Sequence, residues 1–91
     1  MYQLFFENRY YQRREIAKVN NLKEAFIEIN GFLLRYNFKS HYIRYWADSE
    51  EGSEKYILTI DVGSHSEYFI IEFTNKEECE NFLQQKGGAN G

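Results

Sequence analysis

The chain has 91 residues, carries 11 Lys or Arg against 14 Asp or Glu for a formal net charge of −3, and is 19% aromatic. That length makes one domain and leaves no room for two lobes around a cleft. The single cysteine, Cys79, excludes an intrachain disulfide framework and a cysteine-based metal site.

The opening MYQLFFEN has neither a basic n-region nor a long apolar run, so it reads as neither a secretion signal nor a membrane span, and a cytoplasmic location is expected. Its alternation of apolar and polar residues predicts a strand over Tyr2 to Glu7, and a second follows at about Arg13 to Val19. From Leu22 the apolar residues Leu22, Ala25, Phe26, Ile29, Phe32, Leu33 and Tyr36 recur at intervals of three and four, which predicts an amphipathic helix. Asn21 supplies an N-cap and Glu24 completes a capping-box-like start, while Gly31 inside the helix suggests a close packing contact. Three further strands are predicted at His41 to Asp48, Lys55 to Val62 and Glu67 to Thr74. A second helix starts at Asn75 or Lys76, with Glu77, Glu78 and Glu80 where the helix dipole favours anions and Cys79, Phe82 and Leu83 on its apolar side. Gly87 and Gly88 stop it, so residues 1–86 form the domain and 87–91 a flexible tail.

Shifted by 54 residues, the chain aligns on itself without a gap: Tyr2 on Tyr56, Leu4 on Leu58, Ile16 on Ile70, Asn21 on Asn75 and Glu24 on Glu78. The order is therefore ββα-β-ββα. An α+β fold of two layers is expected, an antiparallel sheet of about five strands with both helices on one face. Facing the helices would be Tyr2, Leu4, Phe6, Ala17, Val19, Tyr56, Leu58, Ile60, Phe69, Ile71 and Phe73. The other face would hold Phe5, Ile16, Ile57, Thr59, Tyr68 and Ile70, together with either His41, Ile43 and Tyr45 or Tyr42, Arg44 and Trp46. Within residues 22–86 the succession helix, three strands, helix resembles that of double-stranded RNA-binding domains, but NKEECEN stands where that family carries a basic block, so the resemblance concerns topology and implies no function.

Such an open face is too apolar for plain solvent exposure and suits a protein partner or a second copy, the alternative being that the first helix or the loop around Tyr36 to Ser40 wraps over part of it. Phe5, Tyr42, Trp46 and Tyr68 are the expected anchors, and Glu50, Glu51 and Glu54 the charges that orient the encounter. Residues 1–46 hold eight basic and four acidic side chains and residues 47–91 three and ten, a polarity that suits a basic partner and equally an indifferent soluble surface. The basic N-terminal hairpin offers a competing reading, a nucleic-acid binder using Arg9, Tyr10, Arg13, Arg14 and Arg44. Strand alternation, however, divides Arg13 and Arg14 between two faces, and Glu7 and Glu15 interrupt the basic run.

The segment DSEEGSE misses the spacing of a calcium loop and reads as a hairpin turn, and Ser64, His65 and Ser66 have no orienting acid or oxyanion donors beside them. No enzyme, cofactor, metal or small-molecule substrate is expected. Absent proline and plentiful Phe, Tyr, Ile, Asn and Lys fit AT-rich coding, as in a low-GC bacterium or its phages. The leading expectation is a small binding module, for example a phage or mobile-element inhibitor that occludes a host protein or nuclease. The alternatives are the nucleic-acid binder and a structural homodimer.

Overall fold

A computed structural model describes residues 2–37, 43–63 and 66–86. The chain runs β1 (Tyr2–Glu7), β2 (Arg13–Val19), α1 (Leu22–Arg35), β3 (Arg44–Ser49), β4 (Tyr56–Asp61), β5 (Tyr68–Phe73) and α2 (Lys76–Lys86). The strands form one antiparallel sheet in the order β2-β1-β5-β4-β3. The succession ββα-β-ββα and the antiparallel five-stranded sheet are as expected, while the order of strands within the sheet is read from the structure. The third strand begins at Arg44 instead of His41, and His41, Tyr42, Ser64, His65 and the tail 87–91 lie outside the described residues.

Both helices begin as their sequences dictate. Asn21 is extended, and its Oδ1 accepts from the Glu24 N–H at 2.8 Å; Asn75 Oδ1 accepts from the Glu78 N–H at 3.0 Å, the same cap in the second repeat. Glu24 reaches back to the Asn20 N–H at 3.1 Å, one residue before the cap. Glu78 does more than favour its own helix dipole: its carboxylate accepts the Leu22 N–H at 2.6 Å and so ties the start of α1 to α2.

The pleat sorts side chains by parity, and the register aligns them across strands. Leu4, Ile71, Leu58 and Ala47 make one inner row, and Phe6, Phe69, Ile60 and Tyr45 the next. These meet Leu22, Ala25, Ile29 and Phe32 of α1 and Cys79 of α2 in one core cluster. Phe82 of α2 stacks on Phe26 of α1 at 5.3 Å between ring centroids, and Tyr45 meets both rings edge-on. The helices therefore share one face of the sheet. Every strand residue expected on that face is buried or packed against the core.

The two ββα units sit side by side in the same orientation, because β1 and β4 share one direction and β2 and β5 the other. One difference separates them. Tyr56 pairs with Phe73 and Leu58 with Ile71, matching Tyr2 with Val19 and Leu4 with Ala17, but toward the turn Phe5 pairs with Glu15 and Phe6 with Arg14. A bulge at Ile16 absorbs the extra residue and offsets a connection, 8–12, shorter by one than its counterpart 62–67. Ile16 thereby turns from its expected place on the open face and packs against the core.

Gly31 also differs from expectation, since a Cβ there would meet nothing within 4 Å. The residue only weakens the helix. Gly31→Ala is expected to raise unfolding free energy by about 0.5–1 kcal/mol in urea titrations.

Tyr2 stacks on Phe73 at 4.8 Å with its hydroxyl buried beside Glu78 and Asn75 and without a well-formed hydrogen bond. Burial, then the Glu78 carboxylate, push its pKa up to about 12. A folded pKa above the unfolded value near 10 means the contribution is complete below that pH and is lost as pH rises toward 12. Stability is therefore expected to fall across this alkaline range, and less steeply in Tyr2→Phe, as followed by denaturant midpoints at each pH.

Candidate interaction surface on the open sheet face

The face away from the helices is a lattice of three rows. Glu15, Phe5, Ile70, Thr59 and Trp46 form the middle row across β2, β1, β5, β4 and β3. On one side run Arg13, Glu7, Tyr68, Asp61 and Arg44; on the other Gln3, Glu72, Ile57 and Asp48. The register resolves the ambiguity in HYIRYW: Arg44 and Trp46 are outward, while Tyr45 joins the core.

The middle of this face is apolar and its margins are charged. Ile70 is only 4% exposed, whereas Phe5, Ile57, Thr59 and Tyr68 are half-buried and Trp46 is exposed. Trp46 and Tyr68 meet edge to face at 5.9 Å across β4. A guanidinium stands at each end: Arg13 lies 5.5 Å from the Phe5 ring and Arg44 5.7 Å from the Trp46 ring.

Those two arginines have different surroundings. Arg13 bridges Glu72 at 3.0 Å and Glu7 at 3.5 Å, and Lys55 adds a contact to Glu72 at 3.4 Å, so this network lies over partly exposed carboxylates. Arg44 binds Asp61 at 2.6 Å, and that carboxylate is fully buried and also accepts the Gly63 N–H at 2.9 Å. Asp61 was not singled out in the sequence, although its parity with Ile57 and Thr59 places it on the open face and its position opposite Arg44 makes it an anchor.

The expected contact residues are thus only partly united. Phe5, Trp46 and Tyr68 share the open face; Tyr42 lies outside the described residues. Glu50, Glu51 and Glu54 occupy the exposed β3–β4 turn, beyond the row of Ile57 and Asp48. That turn closes through Glu50 N–H to Lys55 O at 3.1 Å and Ser53 N–H to Glu50 O at 3.1 Å, with Gly52 at φ 79°, where a side chain would be strained. DSEEGSE is therefore a hairpin turn. Among the described residues no ion pair engages its three glutamates.

The alternative basic set is dispersed. Arg9 and Tyr10 are exposed in the β1–β2 turn, where Tyr11 is 86% exposed at φ 63°. Arg13 and Arg44 stand at opposite ends of one row, four strand spacings or roughly 19 Å apart. Arg14 pairs with Phe6 and so belongs to the helix side.

On that helix side, an open groove of about 510 Å³ runs between Lys23 and Phe26 of α1 and Phe82 and Gln85 of α2. Its floor is the Phe26–Phe82 stack, and Glu78 at its end is already engaged in capping α1. Among the described residues no group of three potential metal ligands occurs, and no helix is long and apolar enough to cross a membrane.

Comparisons with protein-family models, curated proteins and solved structures find no match to this chain. The unequal settings of the two arginines give a direct test. Arg44→Ala takes a cation from a buried carboxylate and is expected to cost more, about 2 kcal/mol, than Arg13→Ala, which removes surface pairs and should cost under about 1 kcal/mol, by chemical denaturation.

Proposed function

We propose that this chain is a non-enzymatic binding module that docks another protein on the open face of its sheet. The supporting observation is the outward cluster of Phe5, Ile57, Trp46 and Tyr68, partly exposed on the side opposite both helices. Contiguous apolar patches of this kind mark interaction surfaces on small proteins. The aromatic side chains supply area at little entropic cost, and the charged margins supply register. A basic patch on the partner would be steered by Asp48, Glu50, Glu51 and Glu54, which lie along one side of this surface.

Occlusion of a host protein or nuclease, as by a phage or mobile-element inhibitor, requires only such a face. The nucleic-acid reading draws less support, because its arginines are divided between two faces and Arg13 is neutralised by Glu7 and Glu72.

The test uses a tagged full chain expressed in its native cell, with proteins captured by wild type and by variants compared quantitatively. Phe5→Ser and Tyr68→Ala are expected to keep the wild-type circular dichroism spectrum and to reduce specific partner recovery about tenfold or more. Equal recovery by both folded variants would refute docking on this face.

A further inference from the structure

We infer that the free edge of β3 pairs with β3 of a second copy, in an antiparallel register centred on Trp46. The argument begins with the backbone. Glu50 and Lys55 form a hydrogen-bonded pair that closes the β3–β4 turn. In an antiparallel ladder such pairs alternate with non-bonded ones, so Asp48, Trp46 and Arg44 direct their N–H and C=O groups toward β4. Tyr45, Ala47 and Ser49 then direct theirs outward, where the sheet order ends. Among the described residues nothing bonds them. Two further features make this edge receptive: β3 has no bulge and no proline. The opposite edge, β2, is interrupted by the Ile16 bulge and lined by Arg13, Glu15 and Lys18.

The sequence RYWADS then selects the occupant. Laid antiparallel on itself about Trp46, it sets Arg44 against Asp48, Tyr45 against Ala47 and Trp46 against Trp46. Cation meets anion on the open face, and a large side chain meets a small one on the core face. Asp48 is exposed and joins no ion pair among the described residues, so its charge is available. Arg44 is 51% exposed along its side chain and can reach across the new boundary while holding Asp61. The two Trp46 residues form a non-bonded pair with Cα atoms about 4.5 Å apart, which brings the exposed indoles into contact. A twofold axis perpendicular to the sheet relates the copies, so both helical layers remain on one side and both open faces join on the other.

Sedimentation velocity on the full chain over a wide dilution series tests the pairing. The expected mass rises from 11.0 kDa toward twice that value with concentration. Asp48→Lys opposes like charges across the axis and should weaken association by roughly tenfold or more. Ala47→Pro deletes an outward N–H and should do the same, with circular dichroism confirming both folds. Phe5→Ser, on β1 and away from Trp46, should leave association unchanged, which separates this inference from the docking proposal. Register is read by oxidation: Trp46→Cys should form an intermolecular disulfide faster than Ala47→Cys or Asp48→Cys. An 11.0 kDa mass throughout, undiminished dimerisation of the folded Asp48→Lys and Ala47→Pro variants, or faster crosslinking of Ala47→Cys would overturn the proposal.

Discussion

Burial of Leu4, Ile71 and Leu58 in a single row, in one cluster with Ala25 and Ile29, governs the rest of the molecule. Once these residues face the helices, the pleat obliges Phe5, Ile70, Thr59 and Trp46 to face the other way. With both helices spent on one side, the chain has no third layer among its described residues. A sheet with one covered face ordinarily presents polar side chains on the other. Here Phe5, Ile70 and Trp46 give the middle of the second face an apolar character, and most of the charge is displaced to Arg13, Glu7, Glu72, Arg44 and Asp48 around it. The same constraint that makes the core thereby makes the candidate surface.

Much of this was legible because strand parity is a strict rule. Tyr2, Leu4, Phe6 and Tyr56, Leu58, Ile60 could be assigned to the helix side without coordinates, and Asn21 and Asn75 marked both helix starts through their capping chemistry. The failures have equally definite causes. Ile16 reads as an outward residue if β2 is regular, but a bulge depends on the length of a turn relative to its paired strands, which side-chain pattern does not report. Gly31 suggested close packing, yet the position faces open space, so absence of a side chain was poor evidence of a neighbour. HYIRYW carries rings at both parities, and only pairing with β4 decides that Tyr45 points inward and Trp46 outward.

Charge shows the same limit. Divided along the chain, the first 46 residues are basic and the rest acidic. In space the sheet interleaves them, because β5 inserts between β1 and β4 and brings Glu72 to Arg13, while β4 brings Asp61 to Arg44. Two of the arginines that suggested nucleic acid are thus occupied by carboxylates from the acidic half. Beside the open face the charge that remains is the turn of Glu50, Glu51 and Glu54 with Asp48 next to it, while Glu77 and Glu80 make a separate acidic group on α2.

The parallel placement of the two ββα units explains why a fifth strand is present at all. Units related by translation leave one edge that invites the next unit: β1 accepts β5, and by the same geometry β4 would accept the β5 equivalent of another unit. The connection after α1 supplies β3 to that position, so the series ends inside the chain. At the other end β2 carries the Ile16 bulge, which locally disrupts the ladder a neighbour would need. The molecule consequently has edges of unlike character, one irregular and charged, the other regular with Trp46 at its centre. An indiscriminate pairing of β2 with β3 would build open filaments, and the unlike character of the two edges opposes it.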